Sequence, residues 1–279
     1  MSQRTVLITG CSSGIGLHAA HALKDRGWRV FATCRKPEDC DRLADEGLES
    51  FVLDYAEPES IATGFDETLR RAEGRLDALF NNGAFAQPGA LEDLSVEALK
   101  ASFETNFFGW HDLTRRVLVV MRGQGRGRIL QNSSVLGFAA LRMRGAYIST
   151  KFALEGYTDT LRLELRGTGI HAILIEPGPI RTRIRQNAQD HYRRWIEPTK
   201  STSPWAAFYD RQLEPRLFAE DPPPDPGELG PEATTKKIIH ALESARPRAR
   251  YYVTSPTYAV GIAKRVLPTR WLDRLLAEQ

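Results

Sequence analysis

Thr5-Val6-Leu7-Ile8-Thr9-Gly10-Cys11-Ser12-Ser13-Gly14-Ile15-Gly16 sets an apolar run, a glycine-punctuated turn and the start of an amphipathic segment in direct succession. The run Thr5–Thr9 has the length and β-branched content of a buried strand, and residues 15–26 have the spacing of a helix. Glycines let the backbone turn tightly and leave no Cβ in the way of an approaching group. The unpaired amides of the helix start, together with the helix dipole, favour an anion at that turn. A ligand-free strand-to-helix turn is the alternative. The order strand, turn, helix is the one a dinucleotide pyrophosphate needs, and it favours the binding reading.

Outward from this stretch the same alternation repeats. Residues 29–33, 50–53, 78–81, 127–131 and 171–175 are short runs rich in Val, Ile, Leu or Phe, and residues 251–254 are a candidate last strand. Helix-length segments at 60–72, 146–166 and 231–245 separate or follow them. Alternation of this kind implies right-handed βαβ units and a parallel sheet covered on both faces. The predicted fold class is therefore α/β, a doubly wound parallel sheet of the Rossmann type, with residues 1–279 as one domain.

Bulk properties agree with a globular protein. Hydrophobic residues are 42% and charged residues 26%, and the net charge of +3 is too small to imply a nucleic-acid partner. The first apolar run is too short for a signal-peptide core, and no stretch has the length of a transmembrane helix. The cysteines Cys11, Cys34 and Cys40 are odd in number and lack CxxC spacing, which points away from disulfides and zinc and towards a cytoplasmic protein. His18 and His21 read as packing or surface residues, with no metal expected.

The glycine turn resembles the TGxxxGxG signature of the short-chain dehydrogenase/reductase family, in its shorter-subunit branch, and the resemblance runs from Thr5 to about Thr182. It implies that Gly10, Ser12, Ser13, Gly14, Ile15 and Gly16 cradle a nicotinamide dinucleotide. Among relatives the pattern is most similar to the aldehyde, retinol and hydroxysteroid reductases. At the end of the second strand, Cys34 stands where NAD-preferring relatives carry an acid, and Arg35 follows it. A guanidinium can grip a 2′-phosphate, so NADP(H) is expected over NAD(H); a solvated loop is the other reading of Arg35 and Lys36. Asp54, in the position that contacts adenine in relatives, reads otherwise as a strand-end cap. Asn81-Asn82-Gly83-Ala84 resembles the family's NNAG with its last two residues exchanged, which assigns Asn81 and Gly83 to the cofactor.

Tyr147 and Lys151 lie four apart in a helical pattern and share a face. Alone, such a pair is commonplace. With Ser134 closing the fifth strand and Asn106 upstream, it resembles the family's Asn-Ser-Tyr-Lys tetrad. Reducing a carbonyl leaves an alkoxide-like oxygen that needs a proton. Tyr147 is the expected general acid/base, its phenol made more acidic by the Lys151 ammonium and the oxidised nicotinamide. Ser134 would polarise the substrate oxygen, Lys151 would hold the nicotinamide ribose, and Asn106 would anchor a relay water as the resemblance implies. A backbone-satisfying role for Asn106 can coexist with that one. Pro177, Gly178, Ile180 and Thr182 resemble the family's PGxxxT loop beside the nicotinamide.

After residue 175 the regular alternation stops. Residues 181–230 carry scattered aromatics (Tyr192, Trp195, Trp205, Phe208, Tyr209, Phe218) and read as a substrate lid, which suggests an apolar substrate. Arg142, Arg144, Arg181, Arg183 and Arg185 read as solvated loop residues, with an acidic substrate as the lesser alternative. The extension 255–279 has an apolar–basic helical pattern, read as a core helix or a subunit interface ahead of a membrane-surface helix. Relatives imply a homo-oligomer, a dimer or tetramer, acting on a small carbonyl or alcohol. A non-catalytic NADP(H)-binding sensor or scaffold, and a relative that epimerises or dehydrates, are the rival readings.

Overall fold

Seven apolar strands build the centre of the molecule in a computed structural model that describes residues 3–277. They are β1 (Thr5–Thr9), β2 (Arg29–Cys34), β3 (Glu49–Val52), β4 (Ala78–Asn81), β5 (Gly127–Asn132), β6 (Ile170–Glu176) and β7 (Arg250–Tyr252). All adjacent pairs are parallel and the order is β3-β2-β1-β4-β5-β6-β7. The sheet reverses direction of growth between β1 and β4, the point at which open α/β sheets leave a crevice at their strand carboxyl ends. The first strand is buried throughout, and its side chains divide between two cores, as period-2 alternation in a doubly covered sheet requires. The expected ends of the chain, residues 1–2 and 278–279, lie outside the described residues.

Helices cover both faces. One core takes Ala19, Ala20 and Leu23 of α1 (Gly14–Asp25) and Leu43 of α2 (Pro37–Asp45). The other takes Ile61 and Phe65 of α3 (Pro58–Arg71). Next along the chain is α4 (Val96–Phe103), which runs through a π-helical turn, Glu104–Phe108, into α5 (Gly109–Gln124). Trp110, Leu113, Val117 and Met121 of α5 and Leu154 and Leu161 of α6 (Gly145–Glu164) complete the second core. Helices α2, α4 and most of α5 were not singled out in the sequence, because charged residues interrupt their apolar patterns.

The lid contains α7 (Ile184–Trp195) and two short turns, α8 (Ala206–Phe208) and α9 (Glu214–Leu217). Five of its six aromatics, all but Trp195, pack into one cluster. Tyr192 and Tyr209 are fully buried in the lid's own small core. The Tyr209 hydroxyl donates to the Asp93 carboxylate and accepts from Ala90 N at 2.9 Å, and Trp205 Nε1 donates to Glu92. These contacts pin the lid to residues 90–93. The chain continues through α10 (Pro231–Glu243) and β7 into α11 (Ser255–Val266) and α12 (Thr269–Ala277). The expectation of a core helix in the extension fails: Tyr258, Ile262, Val266, Leu267, Trp271 and Leu275 all stay exposed. Among the described residues, no helix is long and apolar enough to cross a membrane, and no group of three His, Cys, Asp or Glu side chains is arranged to hold a metal.

Candidate active site

Every predicted site residue but Asn106 falls at or beyond the carboxyl end of a strand or on the first turns of α1 and α6. The turn after β1 has two residues in the left-handed region, Gly10 at φ +67° and Gly14 at φ +62°, where a side chain would be strained. A Cβ on Gly10 would lie 2.6 Å from the Gly83 Cα, so the exchanged Asn82-Gly83-Ala84 sequence puts its glycine where the two loops touch. Helix α1 starts at this turn without a side-chain cap and with no acidic residue in its first turn. Its first amides are thus left for an outside anion, and the residues present fit a dinucleotide pyrophosphate. The Thr182 side chain, from the loop after β6, lies over Gly14.

Around this cradle the assignments sort themselves. Cys34 ends β2 and is buried, whereas Arg35 is exposed with no carboxylate partner among the described residues. Arg42, which the sequence reading missed, donates from Nη2 to the Ser12 carbonyl at 2.7 Å and adds a second cation beside the turn. Asp54 closes a local turn after β3, its Oδ1 accepting from Ala56 N at 3.0 Å, and does not cap α3, whose N-cap is Glu57. Asn81 is wholly buried, donating to Thr114 Oγ1 and Gln131 Oε1 and accepting from the Tyr55 hydroxyl. Its neighbour Asn82 is the residue that reaches the turn, donating to the Thr9 and Gly10 carbonyls at 3.0 and 3.2 Å. A repeated Asn-Asn gave no sequence signal for telling the two apart.

Tyr147 and Lys151 emerge from one face of α6, opposite Ser134 at the end of β5. Burial pushes the Tyr147 phenol up to about 12, with the Ser134 hydroxyl and the Arg144 charge pulling the other way. Burial also drives the Lys151 ammonium down to about 7, against the pull of Glu155. The groups that pull the Tyr147 phenol down are Ser134 and Arg144, and Lys151 is not among them. The Lys151 Nζ donates to the Asn132 carbonyl at 2.7 Å, over the Trp110 ring, and stands 5.5 Å from the phenol ring centroid.

Asn106 sits in the π-helical turn with its amide spent on the strand end. Its Oδ1 accepts from Phe85 N at 3.0 Å and its Nδ2 donates to the Phe85 carbonyl at 2.9 Å. Phe85 in turn stacks on His191 of α7 with ring centroids 3.7 Å apart, so the lid reaches the floor of the cleft. Burial first, and the Arg35 charge next, hold the His191 imidazole down to about 4.

Behind the site lies a charged network that sequence reading missed. Arg250 of β7 donates to Glu155 of α6, to Glu176 at the end of β6 (2.6 Å) and to Asp159 (2.6 Å). Glu155 also accepts from the Ser133 hydroxyl. One guanidinium therefore ties together the strand ends that carry Ser134 and the Pro177–Thr182 loop, and the helix that carries Tyr147 and Lys151. Val135 N, donating to the Pro177 carbonyl at 2.7 Å, closes the same junction.

With this geometry in place, comparison with known proteins gives the class. The short chain dehydrogenase family matches residues 4–193, and this chain belongs to it. It is 42% identical over 275 residues to the oxidoreductase YbbO of Escherichia coli K12, covering 98% of this chain and 94% of that protein. It is 31% identical over 281 residues to an NADPH-dependent 3-dehydrocapnine reductase of Ornithobacterium rhinotracheale, covering 98% and 95%. A short-chain dehydrogenase structure from Streptomyces avermitilis superposes with a TM-score of 0.77 at 28% identity, covering 95% of this chain and 93% of that one. An oxidoreductase of this family, using a nicotinamide cofactor, is thereby established.

Proposed function

We propose that the protein is an NADP(H)-dependent reductase of aldehydes or ketones, and oxidises the matching alcohols, with Tyr147 as general acid/base. The observation that carries this reading is the convergence of Ser134, Tyr147 and Lys151 at the crevice that the uncapped glycine turn also faces. When bound, the nicotinamide supplies or takes the hydride. Ser134 and Tyr147 hold the substrate oxygen; as its charge develops, the Tyr147 hydroxyl transfers its proton to it. Lys151 holds the ribose, Thr182 the carboxamide, and Gly10, Ser12, Ser13, Gly14, Ile15 and Gly16 the pyrophosphate, with Pro177, Gly178 and Ile180 shaping the loop. A non-catalytic sensor would have no use for the intact set.

Preference for NADP(H) rests on Arg35 and on the missing acid at Cys34; the relative named as NADPH-dependent is in line with it. Replacing Arg35 by Ser is expected to raise the NADPH KM about tenfold to a hundredfold, the worth of a charge-assisted hydrogen bond, with little change for NADH. An equal change for both cofactors would return Arg35 to the status of a loop residue. An apolar substrate body is now supported by Ala86, Val135, Leu136, Leu141 and Ile148, which cluster around Tyr147, in place of the lid aromatics. Residues 181–230 act as the lid over it. Three free, unpaired cysteines accord with action in the cytoplasm. A homo-oligomer, dimer or tetramer, fits the exposed Phe108, Val119, Phe152 and Leu163 on and beside the adjoining helices α5 and α6. The test of the activity is NADPH oxidation by purified protein across aldehydes and ketones of graded size. Tight NADPH binding with no turnover in a broad panel would hand the case to the sensor.

A further inference from the structure

Three arginines from separate parts of the chain converge on the mouth of the cleft. Arg144 immediately precedes α6, one helical turn before Tyr147, and its strand-like segment is bridged to Gly89. The residue is open to solvent. The Arg144 charge reaches the Tyr147 phenol on one side and Arg216 and Arg185 on the other. Arg185 of α7 and Arg216 of α9 both donate to the Asp225 carboxylate, the former at 3.2 Å. Among the described residues, Arg144 has no acidic partner. Two guanidinium groups thus share one carboxylate, and the third beside them has none. Burial, then repulsion from Arg216 and Arg185, depresses the Arg144 pKa. Folding does not gather like charges without compensation, and such a cluster beside a catalytic group is compensated when an anion enters it. Arg142 does not belong to it: its Nη2 donates to the Ala277 carbonyl at 3.0 Å and its guanidinium covers the Phe208 ring.

We propose that Arg144, with Arg185 and Arg216 around Asp225, binds an oxyanion group of the substrate, which is therefore an aldehyde or ketone bearing a carboxylate, phosphate or sulfonate beyond its reacting carbon. The planar guanidinium fork matches such groups bidentately. The apolar cluster of Leu136, Leu141 and Ile148 beside Tyr147 takes the carbon body between the two ends. The inference rests on the carbonyl chemistry proposed above and narrows its substrate class.

The test compares ω-oxo carboxylates of graded chain length with their methyl esters, as the ratio of kcat/KM within each pair. A carboxylate preference of about tenfold to a hundredfold is expected at one chain length, falling to near unity in Arg144→Met and partly restored in Arg144→Lys. Using the ratio cancels any effect of the lost cation on Tyr147. Arg142→Met should leave the ratio where it was. A ratio near one in the unmodified protein, or one that survives Arg144→Met, overturns the inference and leaves the carbonyl chemistry intact. So does a loss confined to NADPH affinity, which would assign the cluster to a cofactor phosphate. If no carbonyl compound turns over, the reading of the activity has failed instead. The subsite is then judged by the rise in melting temperature of the NADPH complex with benzoate against benzamide, a rise that Arg144→Met should abolish.

Discussion

Substituting Phe for Tyr147 is expected to lower carbonyl reduction by about 10²–10⁴-fold, the usual worth of a positioned general acid, or about 3–5 kcal/mol of barrier. Phenylalanine keeps the ring that packs with Leu136 and Ile148, so no cavity opens and the fold survives. NADPH titrated by fluorescence should bind the variant within about fivefold of the parent, since the pyrophosphate cradle and Arg35 are untouched. The buried phenol, held up to about 12, is protonated throughout the neutral range. That is the form reduction needs, so the phenol itself imposes no pH dependence on reduction around neutrality, and any change near pH 7 would report Lys151, whose ammonium is driven down to about 7. Alcohol oxidation needs the phenolate, whose population grows about tenfold per pH unit below the pKa, so oxidation should climb steeply with pH. Retention of more than about a tenth of the parental kcat/KM by Tyr147→Phe would remove the residue from its role.

How much of this was legible beforehand follows from which signals are local. Strands buried on both faces read as continuous apolar runs, so all seven were located within a residue or two, and the glycine turn is contiguous in sequence. Tyr147 and Lys151 are readable because helical spacing fixes their common face. Asn81 and Asn82 are not separable that way: which amide lies in the core and which braces the turn is decided by tertiary partners such as Gln131 and Asn132. The packing of the lid aromatics was hidden for a related reason: charges break up the apolar pattern around them, and only in the folded chain do Tyr192 and Tyr209 turn into the lid's own core. Arg144 and Arg185 read as solvated loop charges, and Arg216, which the sequence did not single out, joins Arg185 on Asp225 only in the folded chain.

Arg250 is the extreme case, with its carboxylate partners Glu155 and Glu176 lying 95 and 74 residues away. Its replacement by Met should destabilise the protein by about 3–5 kcal/mol, the cost of leaving buried charges without their counter-ion. Glu176 is fully buried, with one carboxylate oxygen already lacking a partner, and burial followed by the nearby Glu155 charge holds its pKa above the ordinary range. A carboxyl raised in this way gives stability that is complete below its unfolded-state pKa and is lost as pH rises through the folded one. Glu176 is held up to about 8 with Arg250 in place, and removing Arg250 raises it further, so this carboxyl stays largely protonated at pH 5 and at pH 7 in parent and variant alike. The gap between the two in urea unfolding should therefore change little between those two pH values. A loss below about 1 kcal/mol would mean that the carboxylates reach water once the guanidinium is gone. The strand ends bearing Ser134 and Pro177 would then be held by the Val135–Pro177 hydrogen bond and local packing, and the charged staple would be dispensable to the site.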